Sequence, residues 1–220
     1  MSMTAKEATS ALQEAGSIKG TSLRKLAEKA KSWNNLEASV GMAAINSVFN
    51  GPSTVKENFD IPPIEPVAGQ DTFEKMRDEV RGKKVTVVGH FPNLEALGAV
   101  CELSILERNP QRGDFTDPAC EYILGEQDYV FITGITMINK TLPRLLELCN
   151  KDAKITLVGP TVTLVPLWFE RGVTALGGRV VFDPEIMFHQ VSEGGGHDRF
   201  GKCARMVQLR AENVRQGVSD

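Results

Sequence analysis

The sequence predicts an α/β fold: a mostly parallel sheet with helices on both faces, preceded by a small helical domain. Two observations carry this. From Lys83 onward, short apolar runs alternate with helical connections, the pattern of strands buried on both faces. Ahead of them the apolar spacing is helical. Between the two, the proline-rich Asp60–Pro66 breaks regular structure, because proline removes a donor and restricts its predecessor. The expected division is a mainly helical domain over 1–66 and a sheet domain over 67–220.

Taken in order, residues 1–20 are polar with small side chains, and a helix is expected from about Leu23 to Ala30. Asn34 or Asn35 caps a second helix, in which Leu36, Val40, Ala43, Ala44, Ile45 and Val48 recur at helical spacing. Ala38, Gly41 and Ala44 make a small-residue surface that another element can approach closely, and Gly41 gives up helix propensity there. Asn50-Gly51-Pro52-Ser53 stops that helix, and a short one over 72–80 leads into the sheet. Strands are expected at 85–88, 103–106, 129–132, 155–158 and 179–182. Helices are expected at 93–100, 118–124, 139–149 and 163–170.

Bulk composition excludes several classes. Hydrophobic residues at 41% and charged residues at 24% describe an ordinary soluble globular chain. A net charge of −3 does not favour nucleic acid or an anionic membrane. The basic cluster Lys19, Arg24, Lys25, Lys29 and Lys31 reads as a solvated helix face. Cys101, Cys120, Cys149 and Cys203 are too scattered for a disulfide framework, and the opening MSMTAKEATS reads as no signal or transit peptide. The expected location is cytoplasmic.

In parallel sheets ligands bind outside the carboxyl ends of the strands, near the point where strand order reverses. That rule selects Gly89, His90, Phe91, Pro92 and Asn93; then Glu107; then Thr133, Gly134, Asn139 and Lys140; then Gly159 and Pro160. The strand Val85–Val88 ends in glycine as nucleotide-binding units do. Phe91 and Pro92 nevertheless occupy the place where a pyrophosphate needs close backbone approach, which argues against NAD or FAD. Glu107 follows Gly89 at close to the roughly 20-residue offset of a ribose-binding acid, so an S-adenosylmethionine-like ligand stays open beside plain ion pairing with Arg108 or Arg112. His90 reads as a metal ligand, a proton carrier or a helix-capping side chain. His189, Glu193 and His197 flank three successive glycines and could offer donors to one ion, in a loop that closes over the rim. Lys140 opens a helix and suits an anion or solvent.

Five stretches in this order, "KSWNNLEASVGMAAINSVFN", "GKKVTVVGHFPNLE", "LSILERNPQRGDF", "DYVFITGITMINKTLPRLLEL" and "ITLVGPTVTLVPLWFERGV", resemble the family described as "putative heavy-metal chelation". The resemblance implies a reduced enolase-N-terminal-like domain followed by a Rossmann-like domain. It also implies a cleft between them in which Glu37 and Asn46 face His90, Glu107, Thr133, Asn139 and Lys140. Members usually carry a longer N-terminal region with a small antiparallel sheet before the "KSWN" segment. With that sheet reduced, Trp33, Met42 and Phe49 lack cover and a homodimer is expected.

The function expected is binding of a divalent transition metal ion or metal chelate in that cleft, within metallocofactor or chelator metabolism, with His90, Glu107, His189, Glu193 and His197 as metal donors. Two alternatives stand beside it. One is an enzyme acting on a small anionic or nucleoside-like ligand, with Lys140 as anion anchor and His90 as proton carrier. The other is a non-catalytic interaction protein. Whether a reaction is catalysed is left open.

Overall fold

The fold is given by a computed structural model, which describes residues 12, 14–62 and 72–215 apart from the side chains of 197–199. The expectations for residues 1–11 and for the linker beyond Pro62 fall outside the described residues. Ser22 caps α1 (Leu23–Glu28), which ends in a 3-10 turn over Lys29–Lys31. Asn34 caps α2 (Asn35–Phe49) by accepting from the Leu36 and Glu37 amides, as its position predicts. The chain does not then become a loop. Gly51 and Pro52 start α3 (Pro52–Asn58), because proline is preorganised for the first helical position. Val55 and Phe59 from this segment are fully buried in the sheet's main core, although the sequence assigned them to the first domain.

After α4 (Thr72–Met76) the sheet begins. Its strands are β1 (Lys84–Val88), β2 (Glu102–Glu107), β3 (Phe115–Thr116), β4 (Tyr129–Thr133), β5 (Lys154–Val158), β6 (Ala175–Val181) and β7 (Ala204–Arg210). Their order is β3-β2-β1-β4-β5-β6-β7, parallel except for the final β6–β7 pair. The helices between them are α5 (Leu94–Gly98), α6 (Cys120–Ile123), α7 (Ile135–Ile138), α8 (Leu142–Leu148) and α9 (Pro184–Ser192). Alternation along β4 shows why both faces are covered: Val130 and Ile132 join Leu142, Leu145 and Phe59, whereas Tyr129 and Phe131 join Phe73, Met76 and Leu97. Among the described residues no helix is long and apolar enough to cross a membrane.

Four local expectations are corrected. β6 starts at Ala175, before the expected 179, because Gly177 and Gly178 hid a strand whose faces must stay bare. A Cβ on Gly177 would lie 2.8 Å from Thr72 Oγ1, and one on Gly178 2.7 Å from Leu164 Cδ2. The helix expected over 163–170 is extended to Val165 and a 3-10 turn over Pro166–Arg171, since the residue before proline is driven out of the helical region. The helix expected over 139–149 begins only at Leu142, because Lys140 takes φ 67. The stretch around His189, expected as a loop, is α9, with Pro184 in its first turn and Asp183 Oδ1 accepting from the Ile186 amide at 2.9 Å.

The small-residue surface of α2 meets two neighbours. Ala38 and Met42 pack on Ile138 of α7. Gly41, by contrast, lies against the backbone of Lys29 and Ala30, so its close approach serves the α1–α2 hairpin and not the sheet.

Candidate functional site at the sheet switch point

Strand order reverses between β1 and β4, and a cavity of about 520 Å³ opens there over the carboxyl ends of the strands. Glycines make the floor. Gly89 ends β1 with φ 100, and a Cβ there would come within 3.1 Å of Thr133 Cγ2. Gly159 ends β5 with φ 116. Both conformations favour glycine, whose missing Cβ lets the strand ends crowd together. Phe91 lines the cavity beside these glycines. Its ring stands edge-on to Phe73 at 5.2 Å, continuing the aromatic cluster under the cavity. Pro92 and Asn93, the latter in the left-handed region, complete the turn.

His90 is held at two points. Its backbone N–H donates to Glu107 Oε2 at 3.0 Å, and its ring Nδ1 lies 3.0 Å from Asp114 Oδ2. The Asp114 side chain is only 3% exposed and also accepts the Gln111 amide at 2.9 Å. A carboxylate on Nδ1 selects the tautomer with its proton there and leaves Nε2 as the acceptor. Glu107 is brought beside His90 as expected, but through the backbone. Its carboxylate also accepts the Arg108 amide at 2.8 Å and the Asn109 amide at 3.1 Å. Three amides therefore engage it, and its work is to tie the β1 turn to the β2 turn. Arg108 pairs with Asp117, Nε to Oδ2 3.0 Å, on the same side of the cavity.

Of the other expected site residues, Thr133, Asn139, Gly159 and Pro160 line the cavity with Gly89, His90, Phe91, Pro92 and Glu107. Asn139 Oδ1 accepts both the amide and the hydroxyl of Thr141, which turns the chain before α8. Gly134 lies behind the wall, where a Cβ would meet Val162 N at 2.7 Å.

Five residues take other positions. Lys140 Nζ donates to Ala30 O at 2.6 Å, and burial lowers the ammonium pKa, so this side chain ties α7 to the α1 hairpin. Glu37 accepts the Ser32 hydroxyl at 2.6 Å. Asn46 donates to Thr161 O at 2.8 Å and accepts from Thr163 Oγ1 at 2.5 Å, behind the cavity wall. His189 and Glu193 are exposed on and just after α9, outside the cavity lining, and the side chain of His197 falls outside the described residues. Among the described residues no three His, Cys, Asp or Glu side chains gather as a bare-ion site would require.

The cavity thus belongs to the sheet domain and is not lined from α2. Between α2 and α8 lies a separate apolar groove that includes Met42, Ile45, Phe49, Leu146 and Trp168. Sequence reasoning missed Asp114 and Arg179. Asp114 follows Gly113 in a polar turn, and nothing in its spacing pairs it with His90. Arg179 was read only as the start of a strand.

Comparison with known proteins agrees with this architecture. The family model described as "Putative heavy-metal chelation" matches residues 71–210, and a second model of the same description matches residues 1–49. A crystal structure of a protein of unknown function from Desulfitobacterium hafniense DCB-2 is similar, with a TM-score of 0.79 at 44% identity, over 87% of this chain and 76% of that one. Another, from Pyrococcus horikoshii, gives 0.71 at 25% identity, over 88% and 77%. An uncharacterised protein of Methanocaldococcus jannaschii is 33% identical over 172 residues, 73% of this chain, and the match spans 61% of that relative's length.

Proposed function

The chain belongs to the family described as "Putative heavy-metal chelation", and from that premise we propose that the switch-point cavity binds a metal held in a small organic chelate. The observation that carries this is the His90–Asp114 pair. A nearly buried carboxylate on Nδ1 fixes the orientation of the imidazole, the arrangement that orients metal-binding histidines. One oriented nitrogen beside a cavity of about 520 Å³ fits a metal that brings its remaining donors with it. The chelate is cargo in this reading, and His90 Nε2 completes its coordination.

The test uses nickel held by tris(2-aminoethyl)amine, a tetradentate ligand that leaves two positions open, with aqueous nickel for comparison. Calorimetry on the wild type should show tighter binding of the complex than of the aqueous ion. His90→Ala should abolish binding of the complex. Asp114→Asn should weaken it about 10–100-fold, the usual effect of losing the partner that orients a ligating histidine. Unchanged affinity in His90→Ala would remove the cavity from metal handling.

A further inference from the structure

The charged side chains of the cavity lining are already matched. Among the described residues these are His90, Glu107, Arg108, Asp117 and Arg179. Asp114 takes His90 Nδ1, three amides surround Glu107, and Arg108 pairs with Asp117. Arg179 is engaged as well, its guanidinium carbon lying 5.2 Å from the centre of the Phe200 ring. Two of the lining hydroxyls also turn to the protein. Thr136 Oγ1 donates to Thr133 O at 2.7 Å, and Thr141 Oγ1 donates to Asn139 Oδ1 at 2.7 Å.

Much of the remaining lining is apolar. Phe91, Pro92, Ile135, Pro160 and Met206 join the ends of β1 and β5 there. The Phe91 ring reaches both strand ends: a Cβ on Gly89 would meet it at 3.5 Å and one on Gly159 at 3.9 Å. Phe73 braces that ring at 5.2 Å and itself meets Phe131 of the core at the same distance. The bare glycines thus make room for an aromatic side chain that stays half-buried at the cavity. A side chain braced in this way has little freedom left to lose on binding.

We infer that the chelate bound here has an apolar periphery, aromatic or hydrocarbon, with no ionised group outside the coordination sphere of its metal. This deepens the chelate reading given above and rests on it. A charge on the ligand's periphery would give up hydration and meet only groups that already have partners, which is costly in a partly enclosed place. An apolar periphery instead releases water from Phe91 and its neighbours, a gain that grows with the area covered. His90 fixes the orientation and the apolar wall supplies affinity, the usual division between polar and apolar groups in small-molecule sites.

Three nickel tripods separate this inference from the reading beneath it. Tris(2-pyridylmethyl)amine and tris(2-aminoethyl)amine give complexes of the same charge, denticity and open positions, but only the first surrounds the metal with aromatic rings. Nitrilotriacetate, equally tetradentate, surrounds it with carboxylates. In calorimetry the wild type should prefer the pyridyl complex to the amine complex by about 10-fold or more, since about 55 Å² of additional apolar burial suffices for that ratio. The nitrilotriacetate complex should bind no better than the amine complex. Phe91→Ala should cut the pyridyl preference by about 3-fold or more, and Phe91→Leu should retain part of it. Both variants should keep the affinity for the amine complex, which also shows that they fold. His90→Ala should lose the pyridyl and amine complexes alike, which excludes adherence of the rings to the groove between α2 and α8. A wild type with no pyridyl preference, one that favours the carboxylate complex, or a full pyridyl preference in Phe91→Ala would overturn the inference. If His90→Ala still loses the amine complex in that case, the chelate reading stands. Unchanged binding of both complexes in His90→Ala would overturn both.

Discussion

Replacing Gly41 tests how the N-terminal helices are put together. A Cβ at this position would lie 2.0 Å from Ala30 N, 2.6 Å from Ala30 Cα and 2.7 Å from the Lys29 carbonyl carbon. Carbon contacts settle at about 3.5–4.0 Å, so the two segments must part by more than an ångström. The obstructing atoms are backbone, and no rotamer change can clear them. Overpacking of this kind costs about 1–3 kcal/mol, and a bulkier residue costs more. Alanine returns up to about 1 kcal/mol through helix propensity, so Gly41→Ala should lose about 1–2 kcal/mol and Gly41→Leu more. At roughly 2–4 °C per kcal/mol for a chain of this size, Tm should fall by about 2–8 °C for Gly41→Ala. The displaced carbonyl of Ala30 also holds Lys140 Nζ, so amide exchange over 22–31 should quicken first. Ala43→Gly, on the exposed face of α2, supplies a control that loses propensity without moving the hairpin. Circular dichroism with hydrogen exchange reads both effects. An unchanged or raised Tm for Gly41→Ala, with 22–31 protected as before, would refute the packing argument.

The half-buried thiol of Cys149 gives a pH prediction. Burial raises the Cys149 thiol from 9.0 to about 11, so its contribution is fully present below pH 9 and lost as pH rises through 11. Allowing for its partial exposure, the loss is about 2 kcal/mol, and urea unfolding at pH 8 and pH 11 should show a shallower decline in Cys149→Ala; parallel declines would count against it. For the assembly, Trp33, Phe49 and Leu167 are 84%, 38% and 51% exposed, whereas Met42 is already covered by Ile138. We expect these apolar residues to be buried in a homodimer, and light scattering that returned 24.0 kDa at micromolar concentration would exclude it.

The order of strands and helices was legible because valine-rich runs and polar strand ends follow directly from burial on both faces. The Asn34 cap was legible for a local reason, since a capping side chain acts on amides two and three residues away. The β1 turn was recognised as part of a rim by the same logic. What stayed hidden depends on contacts distant in sequence. Gly177 and Gly178 weaken a strand signal so that Thr72 and Leu164 can approach, and neither neighbour can be inferred from the run itself. The His90–Asp114 contact is of this kind, as is the reach of Lys140 to Ala30. Local signals were also overlooked: Asp183 followed by Pro184 announces α9, and Gly51-Pro52 announces α3.

The N-terminal helix reaches the cavity at one remove. Asn50 is buried at the end of α2, donates to Val162 O at 2.8 Å and accepts the Leu164 amide at 2.9 Å. One turn earlier, Asn46 holds Thr161 O and the Thr163 hydroxyl. The loop 161–164 is thereby pressed onto Gly134, with Pro160 and Thr161 turned to the cavity wall. Helix α2 therefore sets the position of a wall without presenting a side chain to it. Asn46→Asp removes the donor to Thr161 O while keeping the acceptor for Thr163, which makes it the cleanest perturbation. It should cost about 1 kcal/mol of stability, the usual net worth of a hydrogen bond to a half-buried carbonyl. If the wall is set from α2, binding of nickel tris(2-aminoethyl)amine, measured well below Tm, should weaken several-fold as well. Lost stability with unchanged affinity would mean that Gly134 and Gly159 fix the wall unaided, and that α2 contributes to the fold alone.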